Sequence, residues 1–390
     1  MTQQLLEQQD APRSAATTVK VLHLINGEHY AGAEKVQDVL AARLGDFGYQ
    51  VGFACLKPGR FPTARQAQHV PLVELPMQSR IDLKPLKRLA RLIRDEQYQL
   101  VHSHTPRTVM VGGVAARLAG VPLVHHVHMQ TQGELVHRMR GKLNAWVERR
   151  SLKRAARVIA VSDSLRRYIV NQGVPAERVV VAHNGVPSPP LFRDDQPPLS
   201  NWTIGCVALF RPRKGIEVLL DAVAGLRQRG LPARLRMVGR FETADYEREI
   251  RRQAARLDLE PYIDWIGFTT DVNAQLVQMD VLVLPSVLPE GLPMVVIEAM
   301  AAGVPVVGSD VDGVTDCIQD GHDGLLAAPG DAESLRSQLA QLMSGQLDWR
   351  AIRAAALLRH QRQFSDMAMA RKVSRVYDEI LYPESHFQLA

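Results

Sequence analysis

A chain of 390 residues, 46% hydrophobic and 23% charged, is too apolar for disorder and too long for one ordinary core, so two folded domains are expected. Three cysteines, Cys55, Cys206 and Cys317, lie far apart with no C-x-x-C pair, which argues against a disulfide framework or a cysteine zinc site and fits a reducing cytoplasm. The net charge of +6 favours anionic partners (nucleotides, phospholipid head groups or nucleic acid) without choosing among them.

Residues 1–18 are polar and lack the apolar run and small-residue cleavage site of a secretory signal, so they read as a disordered tail. No stretch reaches the ~18 uninterrupted apolar residues of a membrane span. From there, short β-branched runs alternate with longer helical patterns, as in parallel α/β sheets. Strands are predicted near Lys20 to Ile25, Val51 to Leu56, Val70 to Leu75, Leu100 to Ser103, Leu123 to Val127, Val158 to Val161 and Val179 to Ala182. Between His137 and Arg157 eight Lys or Arg face one acid, Glu148, with Leu143, Trp146, Val147 and Leu152 interspersed. This segment is either a basic amphipathic helix on an anionic membrane or a solvated helix face. Residues 19–186 form the first predicted domain. The stretch 187–200, rich in proline and aspartate, reads as a linker.

The alternation restarts in a second predicted domain, 201–365, with strands near Trp202 to Leu209, Leu235 to Val238, Ile263 to Ile266, Val281 to Pro285 and Val306 to Gly308. Residues 366–390 are expected to form a terminal helix that returns to the first domain. Ala119-Gly120-Val121-Pro122 in one half echoes Ala302-Gly303-Val304-Pro305 in the other. Glycine ends a helix in the left-handed region and proline prevents its continuation, so each phrase turns the chain into a strand.

The segment from Leu284 to Gly303 carries the most chemistry. A strand ends at Pro285, a loop holds Glu290 and Gly291, and a helix is predicted from Pro293 to Gly303. Its free N–H groups and positive dipole end point to where α/β folds bind phosphates. Gly291 lets a diphosphate approach the backbone of Leu292, Pro293 and Met294. A carboxylate at such a site repels its ligand unless it meets hydroxyls, so Glu290 is assigned to a transferred sugar and Glu298 to ribose. Otherwise they are a helix-start acid and an incidental surface glutamate.

Glu290 and Glu298, seven residues apart around Gly291-Leu292-Pro293, resemble the E-x7-E motif of the retaining glycosyltransferases of family 4. The resemblance spans about Val19 to Leu381. It implies an α/β fold of two Rossmann-like domains facing across a cleft, the GT-B architecture. Leu209-Phe210-Arg211-Pro212-Arg213-Lys214-Gly215 resembles the family segment in which an Arg and a Lys clamp the donor diphosphate. Lys214 matches, and both Arg211 and Arg213 remain open for the arginine. Gly32, in Tyr30-Ala31-Gly32-Ala33-Glu34, aligns with the small-residue loop bordering donor and acceptor, where Ala31 replaces a usual glycine. His128 aligns with a family histidine near the transferred sugar and is preferred to His126, because a side chain at the strand's end reaches the cleft. Asp312-Gly313-Val314-Thr315-Asp316 departs from the family's usual pair of glycines and leaves Asp316 without a firm role. His102 and His104 either touch acceptor or are exposed strand-end histidines without a role.

The expected reaction is hexosyl transfer from a UDP- or GDP-type sugar to a glycan or lipid-linked acceptor, in exopolysaccharide or lipopolysaccharide biosynthesis. Lys214, an arginine and the helix dipole would stabilise the departing diphosphate, while domain closure would exclude water. No metal or other cofactor is expected, since no metal motif appears. A dehydrogenase is set aside because the first strand runs into Asn26-Gly27-Glu28-His29-Tyr30-Ala31-Gly32 without G-x-G-x-x-G. Nucleic acid is not an expected partner, given 5% aromatic residues and no recognisable module. A catalytically silent scaffold or nucleotide-binding interaction protein is the alternative. The protein is expected in the cytoplasm, with peripheral contact to the inner face of the plasma membrane.

Overall fold

The computed structural model describes residues 18–30, 32–77, 82, 84–129, 150 and 152–383. The predicted tail and nearly all of the basic segment 137–157 lie outside these residues. The chain divides into two compact units, residues 1–185 with 366–390, and Val186–Ser365.

The first unit is built on a seven-stranded, wholly parallel sheet of β1 (Val19–Ile25), β2 (Tyr49–Cys55), β3 (Leu72–Glu74), β4 (Leu100–Ser103), β5 (Leu123–Val127), β6 (Arg157–Ala160) and β7 (Val179–Val181). The order is β3-β2-β1-β4-β5-β6-β7, with every neighbouring pair in parallel register. The near-continuous burial of β1, VKVLHLI, is what a strand covered on both faces requires. The order reverses between β1 and β4, so a crevice opens beyond their carboxyl ends at Ile25 and Ser103. The helix Pro106–Ala119 starts there, its first turn held by Thr105 and Thr108 in a reciprocal cap.

The final helix, Asp366–Leu381, belongs to this unit. Arg43 pairs with Asp366 at 2.6 Å, and the Tyr49 hydroxyl donates to Asp378 at 2.6 Å. Tyr377, fully buried, reaches into the sheet.

The second unit repeats the plan with six parallel strands, β8 (Trp202–Val207), β9 (Ala233–Val238), β10 (Ile263–Gly267), β11 (Val281–Leu284), β12 (Val306–Ser309) and β13 (Leu325–Ala327), in the order β10-β9-β8-β11-β12-β13. Its reversal lies between β8 and β11. Ile204, Leu219, Val223, Leu235, Val281, Val307 and Leu339 are among the residues of its core. Both echoing phrases behave alike: Gly120 (φ 76°) and Gly303 (φ 71°) end helices in the left-handed region before β5 and β12.

Residues 187–200, read as a linker from sequence, run along the second unit. The Leu191 amide donates to Asn273, and Arg193 pairs with Asp280 at 2.6 Å while its amide donates to the Ala302 carbonyl. Among the described residues no helix is long and apolar enough to cross a membrane. All three cysteines are buried free thiols.

Candidate functional site

In the second unit three loops converge beyond β11. The first follows β11 itself and leads into the helix Met294–Ala302, with Pro293 at the cap position and no side chain capping the opening turn. Sequence placed the start one residue earlier, a difference within the fraying of any helix end. Along this helix Val296, Ile297 and Ala299 are buried, whereas Met294, Val295 and Glu298 are half-buried and share one stripe. Residues at i and i+4 lie one above the other, so Glu298 stands a turn above Met294 on the open face.

The second loop follows β8 and makes a tight turn at Pro212–Lys214. Gly215 closes that turn at φ 62°, and any Cβ there would strike the Pro285 carbonyl oxygen. This close approach stitches the two loops together: Val287 N–H donates to the Arg213 carbonyl at 3.0 Å, and the Arg213 guanidinium donates to the Pro289 carbonyl at 2.6 Å. Lys214 Nζ reaches Glu290 Oε1 at 2.6 Å, both side chains being about one-seventh exposed. Ser286 Oγ, fully buried, donates to the same oxygen at 2.7 Å.

The third loop follows β12. The Asp312 carbonyl accepts from the Glu290 amide at 2.9 Å, and Gly313, at φ 86°, lies against the Glu290 carbonyl so closely that a Cβ would sit 2.5 Å from that oxygen. Asp316 Oδ2 accepts from the Gly313 amide at 3.2 Å, which gives Asp316 a place in holding this turn. Glu290 is therefore fixed at its amide by the loop after β12, and at its carboxylate by Lys214 of the loop after β8 and by Ser286 of its own loop. Arg211 points elsewhere, to exposed Glu242 at 3.4 Å. Of the two arginines left open by sequence, Arg213 is the one tied to the Glu290 loop.

Chemically, the opening turn offers backbone donors and a positive dipole end beside one lysine and one arginine, which suits a phosphate-type dianion. Glu290 has a second carboxylate oxygen for a hydroxyl. Ser286 and the Asp312 carbonyl were not foreseen from sequence. The only hint of Ser286 was its place four residues before Glu290, at the end of an apolar strand.

In the first unit, alternation along adjacent strands lines up five histidines. His23 of β1 lies opposite His102 of β4, His104 follows β4, His126 lies in β5 and His128 follows it. Residues at i and i+2 share a sheet face, so the five rings form one group. His102 stacks on His104 at 4.3 Å and His126 on His128 at 4.5 Å between ring centres. His125 points the other way, to Ser103 at 2.9 Å.

His102 and His104 are buried, not exposed as one reading of the sequence had them, because their neighbours on the same face are other histidines and Tyr377. Burial pushes His23 down to about 3 and His128 down to about 4. Burial first, and neighbouring imidazoles second, hold His102, His104 and His126 well below the usual imidazole range. All five are neutral at physiological pH. Of the preferred pair, His126 is fully buried and His128 is half-buried at the strand's end. Gly32 opens the helix Gly32–Leu44 and is exposed, whereas Ala31 lies outside the described residues.

Comparison with known proteins follows the same division. Residues 201–345 match the family described as glycosyl transferases group 1, and residues 30–188 match glycosyltransferase family 4. A phosphatidyl-myo-inositol mannosyltransferase of Mycobacterium leprae is 31% identical over 312 residues, 78% of this chain and 79% of that protein. An Escherichia coli protein, named UDP-Gal:alpha-D-GlcNAc-diphosphoundecaprenol alpha-1,3-galactosyltransferase, is 26% identical over 67% of this chain and 70% of its own length. Among solved structures, Anabaena HepE in complex with UDP superposes with a TM-score of 0.81 at 23% identity, covering 93% of this chain and all of that one. That likeness is one of fold.

Proposed function

The chain belongs to the group 1 glycosyltransferases of family 4, and on that premise we propose that it moves a hexosyl group from a nucleoside diphosphate sugar to an acceptor hydroxyl. It is a glycosyltransferase of GT-B fold. We assign retention at the anomeric carbon, a UDP- or GDP-type donor, and a glycan or lipid-linked acceptor of a cell-surface polysaccharide at the inner face of the plasma membrane. The names of the Escherichia coli galactosyltransferase and of the HepE complexes with UDP and UDP-glucose support the donor and acceptor classes.

The observation that carries this reading is the joining of Lys214, Ser286 and Glu290 at the start of the helix Met294–Ala302. As the glycosidic bond breaks, charge develops on the diphosphate. Lys214, Arg213 and the helix end neutralise it without reorganising, which lowers the barrier of the chemical step. Glu290 takes a hydroxyl of the transferred sugar, and Glu298, on the same open stripe, takes the ribose. His128 is the residue of the first unit assigned to the transferred sugar. The diphosphate itself receives the acceptor's proton, so no covalent intermediate on the protein and no metal enter the route.

Glu290→Ala tests the assignment. Turnover with a labelled donor and the true acceptor is expected to fall by ~10²-fold or more, whereas nucleotide affinity read by calorimetry changes little, the pattern of an interaction made chiefly in the transition state. Near-normal turnover would remove Glu290 from the mechanism.

A further inference from the structure

We propose that the first unit binds a divalent transition-metal ion of the zinc class through His104, His126 and His128. The ligating atoms of these three side chains all lie within 4.8 Å of one another. His104 Nδ1 and His128 Nε2 are 3.4 Å apart, close to the separation of about 3.3 Å between two nitrogens bound to one tetrahedral zinc at about 2.0–2.1 Å.

His126 supplies the second, independent observation. It is fully buried, and neither of its ring nitrogens has a hydrogen-bond partner among the described residues. Burying a donor and an acceptor unsatisfied costs stability, and native interiors rarely tolerate it without a use. His128 Nδ1 is likewise buried and unpaired, while the ring as a whole is half-buried. A metal held there keeps one open side, towards which water or a small anion can complete the coordination.

The partners of His104 complete the site. Its Nε2 lies 3.2 Å from His23 Nδ1, His23 Nε2 lies 3.1 Å from the Tyr377 hydroxyl, and that hydroxyl lies 2.5 Å from His102 Nδ1. A metal on His104 Nδ1 requires the proton on Nε2. His104 Nε2–H then donates to His23 Nδ1, His23 Nε2–H donates to the Tyr377 hydroxyl oxygen, and the Tyr377 O–H donates to His102 Nδ1, leaving His102 Nε2 as the unpaired end of the chain. One set of tautomers thus satisfies every link, the outer-shell support that metal-bound histidines ordinarily have. The trio His23, His102 and His104 also clusters. Two of its nitrogens, however, are engaged by Tyr377, and none of its rings is half-buried as His128 is. Three imidazoles and no thiolate or carboxylate suit zinc, copper, nickel or cobalt and not magnesium or calcium.

The test is metal binding, read without reference to catalysis, on the full-length protein without an affinity tag and stripped by chelator. Titration with Co²⁺ is expected to give one ion per chain with the intense visible bands of a four-coordinate site, displaced by Zn²⁺. His126→Gln and, at the half-buried rim, His128→Gln should each weaken Co²⁺ binding at least ~100-fold, while melting of the first unit in the metal-free protein, close to that of the wild type, reports that the variants are folded. Tyr377→Phe should weaken it about 10–100-fold, the cost of losing an outer-shell partner. Wild-type protein that binds no Co²⁺, or a bound ion whose spectrum and affinity survive the loss of His126 and of His128, would overturn the proposal. Since zinc would occupy His128, micromolar Zn²⁺ should also slow sugar transfer reversibly. The spectroscopic result stands whatever the transferred sugar proves to be.

Discussion

At the scale of single residues, Lys214 carries the sharpest energetic demand. It is paired with Glu290 at 2.6 Å and largely buried, so it cannot be treated as a surface ion pair worth a fraction of a kilocalorie. A lysine that meets the leaving diphosphate as its charge grows resembles an oxyanion donor, whose loss costs about 10²–10³ in kcat, or about 2.7–4 kcal/mol. Lys214→Ala is therefore expected to reduce kcat by that factor at saturating donor, measured by product formation from a labelled sugar nucleotide. A kcat close to that of the wild type would detach Lys214 from the chemistry. Glu290, Glu298 and Lys214 were singled out in the sequence by their resemblance to the family's E-x7-E and Arg/Lys segments; the structure joins Lys214 to Glu290 and places Glu298 half-buried on the helix that follows. Ser286 and the Asp312 carbonyl were not singled out, because nothing local marks a serine or a backbone oxygen whose partner comes from folding three loops together. The histidines illustrate both cases: the alternation of His102 with His104 and of His126 with His128 was visible, but their meeting with His23 and with Tyr377, 354 positions beyond His23, depends on sheet order and on a helix from the far end of the chain.

At the scale of elements, the site depends on backbone approaches that only glycine permits. Gly215 combines a positive φ of 62° with a space already filled by the Pro285 carbonyl oxygen, whereas Gly345, at φ 77°, has nothing within 4 Å of its position for a Cβ. The two alanine variants therefore separate conformational strain from collision. Gly345→Ala should cost about 1 kcal/mol of stability, the low end for a non-glycine in the left-handed region, and leave turnover unchanged. Gly215→Ala should cost more and, by pushing the Pro212–Lys214 turn away from β11, reduce kcat as well. Melting curves and steady-state rates on both variants check this, and equal turnover in the two would show that the contact of the turn with β11 has no part in positioning Lys214. Twelve strands were legible as β-branched or apolar runs between turn residues. The thirteenth, Leu325–Ala327, was not, since Leu-Leu-Ala has no β-branched residue and owes its extension to pairing with β12.

At the scale of the whole molecule, the two units differ in how the chain supplies them. The second is one uninterrupted stretch, Val186–Ser365, with its own core and with every side chain of the Glu290 constellation inside it. The first is completed only by the chain's last helix. Its fully buried Tyr377 contacts His23 and His102 and packs edge-on against Tyr49 at 5.0 Å, and its Asp366 holds Arg43. Removing that helix exposes the apolar floor beside β1 and β2, including the ring of Tyr49, and strands two histidines without their shared hydroxyl. Loss of one large buried aromatic alone costs about 3–5 kcal/mol, a large share of the margin of an ordinary domain. A chain ending at Ser365 should therefore melt in two steps: an early one for the weakened first unit, and a later one for the second unit. Only the later step should rise with a sugar nucleotide or its UDP or GDP product, by the ~2.7 kcal/mol that a ligand at a hundredfold excess over its Kd supplies. Calorimetric scans with and without nucleotide decide the matter. If the shortened chain lost nucleotide stabilisation altogether, the diphosphate site would need the terminal helix or the first unit, and the assignment of donor binding to residues 186–365 would have to be abandoned.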